Sequence, residues 1–172
     1  MKKKQNIILA NSVGIDKNGY AIIHSPSRWT NSSKNKNVFT YYPWELAYAT
    51  ALLKRETDHR VKLIDGCLHK YDHQRYFEVL CAEDPDCLVM EPAARTWDDD
   101  SALARAVKQH CQCTVIMAGA HATAYPELVG QVADYVLIGE YECTLLDIFR
   151  GTDRDAIRGL YPNPRRSLLD VN

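Results

Sequence analysis

The chain is expected to fold as one α/β domain: a doubly wound, Rossmann-like (flavodoxin-like) sheet of five parallel strands in the order 2-1-3-4-5, with helices on both faces. Two observations lead there. Short, largely apolar runs recur at residues 7–10, 61–64, 87–90, 114–117 and 135–138, and runs without polar alternation are characteristic of strands buried on both faces. Between them, apolar residues fall at helical spacing, and strand–helix alternation with right-handed crossovers gives a parallel sheet, most often in that order at this size.

Taken in order, the first strand (Ile7, Ile8, Leu9, Ala10) leads into a long polar stretch, residues 11–40. Its part Asn31-Ser32-Ser33-Lys34-Asn35-Lys36-Asn37 reads as a mobile surface loop, and a connection of that length inside a compact domain is usually functional or disordered. Pro43 suits the first turn of a helix carrying Trp44, Ala47, Tyr48, Ala51 and Leu52. After the second strand, Asp72 can cap a helix carrying Tyr76, Phe77 and Leu80. After the third, Asp98-Asp99-Asp100-Ser101 places acidic or capping groups where the dipole of the next helix, with Leu103, Ala106 and Val107, is positive. Residues 125–132 leave room for a turn or two, so the fourth crossover is abbreviated. Residues 140–149 supply a last helix, closed by Gly151. The α/β domain is therefore expected over residues 1–151, with residues 152–172, which include Tyr161-Pro162-Asn163-Pro164-Arg165-Arg166, as a linker or tail.

With 46% hydrophobic and 25% charged residues in 172, the composition is that of an ordinary globular domain. Lys+Arg of 21 against Asp+Glu of 22 leaves a formal charge of -1, so no global field favours nucleic acid or an anionic membrane. No apolar run approaches the roughly 20 residues of a membrane span, and the start has no secretory pattern. Cys67, Cys81, Cys87, Cys111, Cys113 and Cys143 lack zinc-ribbon and disulfide-miniprotein spacing, so free thiols and a cytoplasmic setting are expected. Cys111-Gln112-Cys113 has one residue between thiols, unlike common zinc spacings.

Each strand ends in small or polar groups: Asn11-Ser12, Asp65-Gly66-Cys67, Glu91-Pro92-Ala93, Ala118-Gly119-Ala120-His121-Ala122-Thr123 and Gly139-Glu140. In a parallel sheet all five converge on one edge, where ligands of this fold class bind and where small residues let a ligand approach backbone amides. Gly14 and Gly19 form neither a dinucleotide fingerprint nor a P-loop, which weakens NAD and ATP as ligands. The candidate binding residues are Asn11, Ser12, Asp65, Gly66, Cys67, Glu91, Gly119, Ala120, His121, Ala122, Gly139 and Glu140. No catalytic constellation can be assembled.

Several segments resemble a known family. Pro43-Trp44-Glu45-Leu46-Ala47-Tyr48-Ala49, Pro85-Asp86-Cys87-Leu88-Val89, the run Ala118-Gly119-Ala120-His121-Ala122-Thr123-Ala124-Tyr125-Pro126-Glu127, and Asp134-Tyr135-Val136-Leu137-Ile138-Gly139-Glu140-Tyr141-Glu142 occur in the order of similar motifs in the cobalamin-binding domains that precede radical S-adenosylmethionine (SAM) domains. The resemblance implies cobalamin as cofactor, its nucleotide tail held by Gly119, Ala120, His121, Gly139 and Glu140, largely through backbone and small side chains. It implies a radical SAM catalytic domain as partner, in cis or in trans, and methyl transfer as the commonest chemistry. SAM and a 4Fe-4S cluster would belong to that partner, because the chain lacks C-x-x-x-C-x-x-C.

Two departures qualify the resemblance. The D-x-H-x-x-G motif of cobalamin mutases and methyltransferases, whose His is the lower cobalt ligand, is replaced by Asp65-Gly66-Cys67-Leu68-His69-Lys70. Cobalamin is thus expected without a protein histidine ligand, Cys67 and His69 being the nearest candidates. Glu91 stands where many relatives have Ser or Thr, which motivates the alternative of a cofactor-free docking or structural domain. The isolated chain is expected to bind and not catalyse.

Overall fold

A computed structural model describes residues 4–14, 22–24, 30–32 and 42–166. Its central sheet contains β1 (Asn6–Asn11), β4 (Arg60–Ile64), β5 (Cys87–Glu91), β6 (Thr114–Met117) and β7 (Tyr135–Val136), ordered β4-β1-β5-β6-β7 and parallel throughout. Counted along the chain these are strands 2-1-3-4-5, the expected topology. Alternation within β1 shows why it reads as a continuous apolar run. Ile8 and Ala10 pack on one face with α2 (His73–Ala82) and α3 (Trp97–Cys111), while Ile7 and Leu9 pack on the other with α1 (Trp44–Glu56) and α6 (Glu142–Arg150). All four are at 0% exposure, so neither face tolerates a polar residue.

The helix ends follow local chemistry. Asp72 caps α2, its carboxylate accepting the Arg75 amide at 2.7 Å. Asp98, Asp99 and Asp100 fill the first turn of α3, and Gly151 closes α6 at φ 75°, a left-handed conformation that glycine adopts freely. Pro43 is the N-cap residue of α1, one position earlier than expected. The fourth crossover is more helical than its sequence suggested: α4 (Gly119–Ala124) precedes the one-turn α5 (Pro126–Val129). Two residues of the stretch read as a surface loop, Asn31 and Ser32, belong to β3 (Thr30–Ser32), which pairs antiparallel with β2 (Ile22–His24). Of the aromatic residues near the start of α1 that the sequence offers for packing on an apolar ligand face, Trp29, Tyr41 and Tyr42, the first two lie outside the described residues.

The fifth strand is shorter than its apolar run. After Val136, Leu137 turns from the parallel ladder to an antiparallel bridge with Leu160, and the Ile138 and Tyr161 amides donate to Gly159 and Val136 carbonyls at 2.8 and 2.9 Å. Residues 152–166 thus lie along the sheet edge, with Ile157 and Leu160 buried in the α1–α6 core. Arg166 forms an ion pair with Asp147 of α6. Covering an edge strand in this way removes a template for intermolecular pairing.

Candidate functional site

The C-terminal ends of the five strands meet at one edge, and the expected site residues divide there into an interlocked group and an open group. In the first, the Asn11 side-chain amide donates to Asp65 Oδ1 at 2.7 Å, and its Oδ1 accepts the Gly66 amide at 2.9 Å. Asp65 Oδ1 also accepts the Leu68 amide at 2.9 Å. Tyr76, fully buried, donates toward the Asn11 and Ile64 carbonyls at 3.1 and 3.0 Å. Gly66 is glycine because a Cβ there would lie 2.5 Å from Val13 Cγ1 and 2.9 Å from the Tyr76 ring. These contacts fix the turn after β4 against β1.

Cys67 belongs to the same turn, its thiol donating to the Ser12 carbonyl at 3.1 Å. Burial, then the nearby charges of Asp65 and Asp100, pushes this thiol up to about 12. Cys67 thus acts here as a protonated hydrogen-bond donor. His69 is exposed and stacks on Tyr71 with centroids 5.2 Å apart. Among the described residues no group of His, Cys, Asp and Glu is arranged to hold a metal ion.

Ser12 leads to a ring that sequence reading did not identify. Its Oγ lies 2.6 Å from Asp100 Oδ1 and 2.8 Å from Thr96 Oγ1, and Thr96 Oγ1 lies 2.8 Å from Asp100 Oδ2, which also accepts the Ala93 amide at 3.0 Å. Ser12, Thr96 and Asp100 are at most 2% exposed. Burial pushes the Asp100 carboxyl up to about 7, against the opposing pull of these hydrogen bonds. The ring gives a second reason for a bound proton. Three oxygen–oxygen contacts need three protons and the two hydroxyls supply two, so a proton on the carboxyl completes the cycle. The ring ties the β5–α3 loop to the end of β1, at the point where strand order reverses. A signal existed: Trp97, Asp100, Ala104 and Val107 share a helical face, which places Asp100 inward despite its acidic neighbours.

The second group surrounds Gly119. With φ 88°, Gly119 presents an open Cα to the Glu91 side chain, and a Cβ would lie 2.9 Å from Glu91 Oε1. Burial, then the charge of Glu45, holds the Glu91 carboxyl up at about 8. Tyr141, 2% exposed, faces it with a phenol pushed up by burial and then by the Glu91 charge, and one buried carboxyl oxygen of Glu45 is unpartnered. The Glu142 carboxyl is likewise raised, by burial first. On the other side of Gly119, His121 is 7% exposed and lies between Trp97 and Tyr125, ring centroids 5.0 and 5.2 Å away. Neither ring nitrogen has a partner, and burial lowers its pKa, favouring the neutral imidazole.

Gly139 has φ 79° and donates its amide to Thr123 Oγ1 at 2.8 Å; a Cβ there would make ordinary van der Waals contact with Arg165 Cδ at 3.9 Å. Ala120 and Glu140 are exposed, whereas Ala122 is packed in the α2–α3 core. Tyr141 and Glu45, which flank Glu91, have no ligand signal in the sequence because each lies inside a helix-start pattern that explains it without one.

No family model matches the chain, and no curated protein matches it. Its likeness is to solved structures. The radical SAM methyltransferase TsrM from Kitasatospora setae, solved with tryptophan substrate and the SAM analogue aza-SAM, superposes with a TM-score of 0.64 at 16% identity, over 91% of this chain and 28% of that one. The cobalamin-dependent SAM radical enzyme OxsB, with aqua-cobalamin and SAM bound, superposes with a TM-score of 0.68 at 13% identity, over 96% of this chain and 23% of that one. The same enzyme with aqua-cobalamin alone gives 0.67 at 14%. At these identities the likeness shows the fold, and the chain spans about a quarter of each enzyme's length. Among the described residues no helix is long and apolar enough to cross a membrane.

Proposed function

We propose that this chain is a cobalamin-binding module of a radical SAM system, holding the corrin toward a partner catalytic domain, in cis or in trans. The observation that carries the reading is the pair of positive-φ glycines, Gly119 and Gly139, at the ends of β6 and β7, near His121, whose buried ring nitrogens have no partner. Those residues fit the cofactor's amide- and base-bearing periphery. The fold shared with cobalamin-bound OxsB supports the reading.

Gly119 and Gly139 would give the nucleotide tail close approach to the backbone, with Ala120 and Glu140 at its solvent side. His121, neutral and wedged between two aromatic rings, would offer one donor and one acceptor. Asn11, Ser12, Asp65 and Gly66 act indirectly, by fixing the loops after β1, β4 and β5. The Cys67 thiol, turned to the Ser12 carbonyl, would serve to hold the turn after β4 rather than as a ligand to the cobalt. Bound cobalamin would supply an alkyl-carrying cobalt, and the bond-making step would belong to the cofactor and the partner domain.

A second reading has its own observation: the Glu91 side chain lies over Gly119, filling space that a smaller residue would leave, as in a docking domain without cofactor. Incubation with hydroxocobalamin followed by desalting separates the two. Retention of about one corrin per chain, lost in Gly119→Leu while the melting curve shows a folded protein, supports the module; a colourless wild-type protein supports the docking domain.

A further inference from the structure

Four of the chain's six cysteines gather at the edge of the sheet opposite the strand ends that carry the candidate site. Cys81 lies in the last turn of α2, Cys111 is the final residue of α3, Cys87 opens β5, and Cys113 stands between α3 and β6. All four are free thiols, of two kinds. Cys87 and Cys113 are core residues, 2% and 5% exposed, and the Cys113 thiol points to the Val107 carbonyl at 4.0 Å. Cys81 and Cys111 are half-buried on the rim of the same core, and their thiols hydrogen-bond each other across the seam between α2 and α3. The seam itself is set by apolar packing. Leu80 of α2 and Val107 of α3 are both at 0% exposure in the shared core. Phe77, one turn before Cys81 and on the same helix face, packs edge-on against His110, the neighbour of Cys111, with ring centroids 5.7 Å apart. Packing as small apolar side chains accounts for Cys87 and Cys113; it leaves the pairing of two partly exposed sulfurs without a use.

We propose that Cys81 and Cys111 form a reversible oxidation site, closing an intramolecular disulfide that ties the C-terminal end of α2 to that of α3, with a low-molecular-weight disulfide of the glutathione type as oxidant. The inference is independent of the cobalamin reading. Cys111 reacts first, because burial and then the hydrogen bond with Cys111 push the Cys81 thiol up to about 12 and keep it protonated. The Cys111 thiol loses its proton to water and its sulfur attacks one sulfur of the small disulfide. That S–S bond breaks, and one small thiolate leaves and takes up a proton. The Cys81 thiol then loses its proton, attacks the Cys111 sulfur and expels the second small thiol. Two protein thiols are oxidised and one small disulfide is reduced to two thiols. Cys67 and Cys143 take no part: the first sits in the turn after β4, at the opposite edge of the sheet, and the second on α6, which packs on the other face.

The test incubates the purified, folded chain with glutathione disulfide, alkylates the remaining thiols, and maps the peptides by mass spectrometry. Wild type is expected to lose the mass of two hydrogen atoms and to give one cross-linked peptide pair containing Cys81 and Cys111, reversed by dithiothreitol. Closing a loop of about 30 residues should lower the unfolding equilibrium constant by about a hundredfold, read as a higher urea midpoint for the oxidised than for the reduced protein. Cys81→Ser has no resolving thiol and should stop at a stable glutathione adduct on Cys111, whereas Cys111→Ser should leave Cys81 unmodified over the same time. Cys81→Ala gives the same reading should the serine variant fail to fold. A wild type that stays reduced, that keeps glutathione on Cys111, or that links Cys111 to Cys113 or to a second chain would overturn the inference.

Discussion

Replacing Asp100 by Asn tests the ring that anchors the β5–α3 loop. An asparagine reproduces the protonated acid: its amide nitrogen can donate to Ser12 Oγ, its oxygen can accept from Thr96 and from the Ala93 amide, and the two hydroxyls keep their own contact. In the wild type the Asp100 carboxyl rises from its ordinary 3.8 to about 7 on folding. The folded state therefore binds the extra proton between these values, and stability falls as pH rises through that window. At about 1.4 kcal/mol per pH unit, the penalty of the ionised form approaches about 4 kcal/mol above pH 7. No solvent discount is due, because Asp100 is 1% exposed. Asp100→Asn should match wild type near pH 4 and exceed it by about 2–4 kcal/mol at pH 8, read from urea denaturation midpoints at each pH. Asp100→Ala should instead be less stable by about 2–5 kcal/mol at acidic pH, since the Ala93 amide and one hydroxyl lose their acceptor. A variant Asp100→Asn that is less stable than wild type at pH 8 would refute the proton-completed ring.

Three further outcomes follow from the geometry. Gly66→Ala should destabilise by about 1–3 kcal/mol in urea unfolding, because its Cβ must displace Val13 and the Tyr76 ring, both held in the core. Leu160→Ala should cost about 2–5 kcal/mol by the same assay, since Leu160 is 1% exposed in the α1–α6 core; an effect below about 0.5 kcal/mol would mean that the tail does not form part of the folded unit. Cys67 should react with iodoacetamide at pH 8 far more slowly than an unfolded-chain thiol, its thiol being pushed up to about 12, and Cys67→Ser should leave the visible spectrum of any bound cobalamin unchanged.

How much of this was legible in the sequence depended on whether local pattern or tertiary contact decided the outcome. β1 and β5 were readable because burial on both faces enforces an uninterrupted apolar run, and the caps at Asp72 and Gly151 because capping is local. β7 was overestimated, since Leu137 and Ile138 are as apolar as a strand but pair with a segment more than twenty residues later in the sequence. No local signal marks that pairing. At the strand ends, sequence reading assembled the right edge of the sheet without distinguishing its two kinds of residue. Asn11, Ser12 and Asp65 hydrogen-bond one another's loops, while His121 leaves both ring nitrogens without a partner. The difference lies in which side chains find partners across elements. Asp100 was hidden behind two exposed aspartates, and Tyr141 within a motif whose glycine and glutamate drew the attention.

The central claim is tested most directly by anaerobic titration of the purified chain with hydroxocobalamin and then with reduced cobalamin, followed in the visible spectrum. The account predicts saturable binding at about one corrin per chain with a base-off spectrum, unchanged in Cys67→Ser and His69→Ala. A spectrum that stays that of free cobalamin, with all corrin removed on desalting, would contradict it.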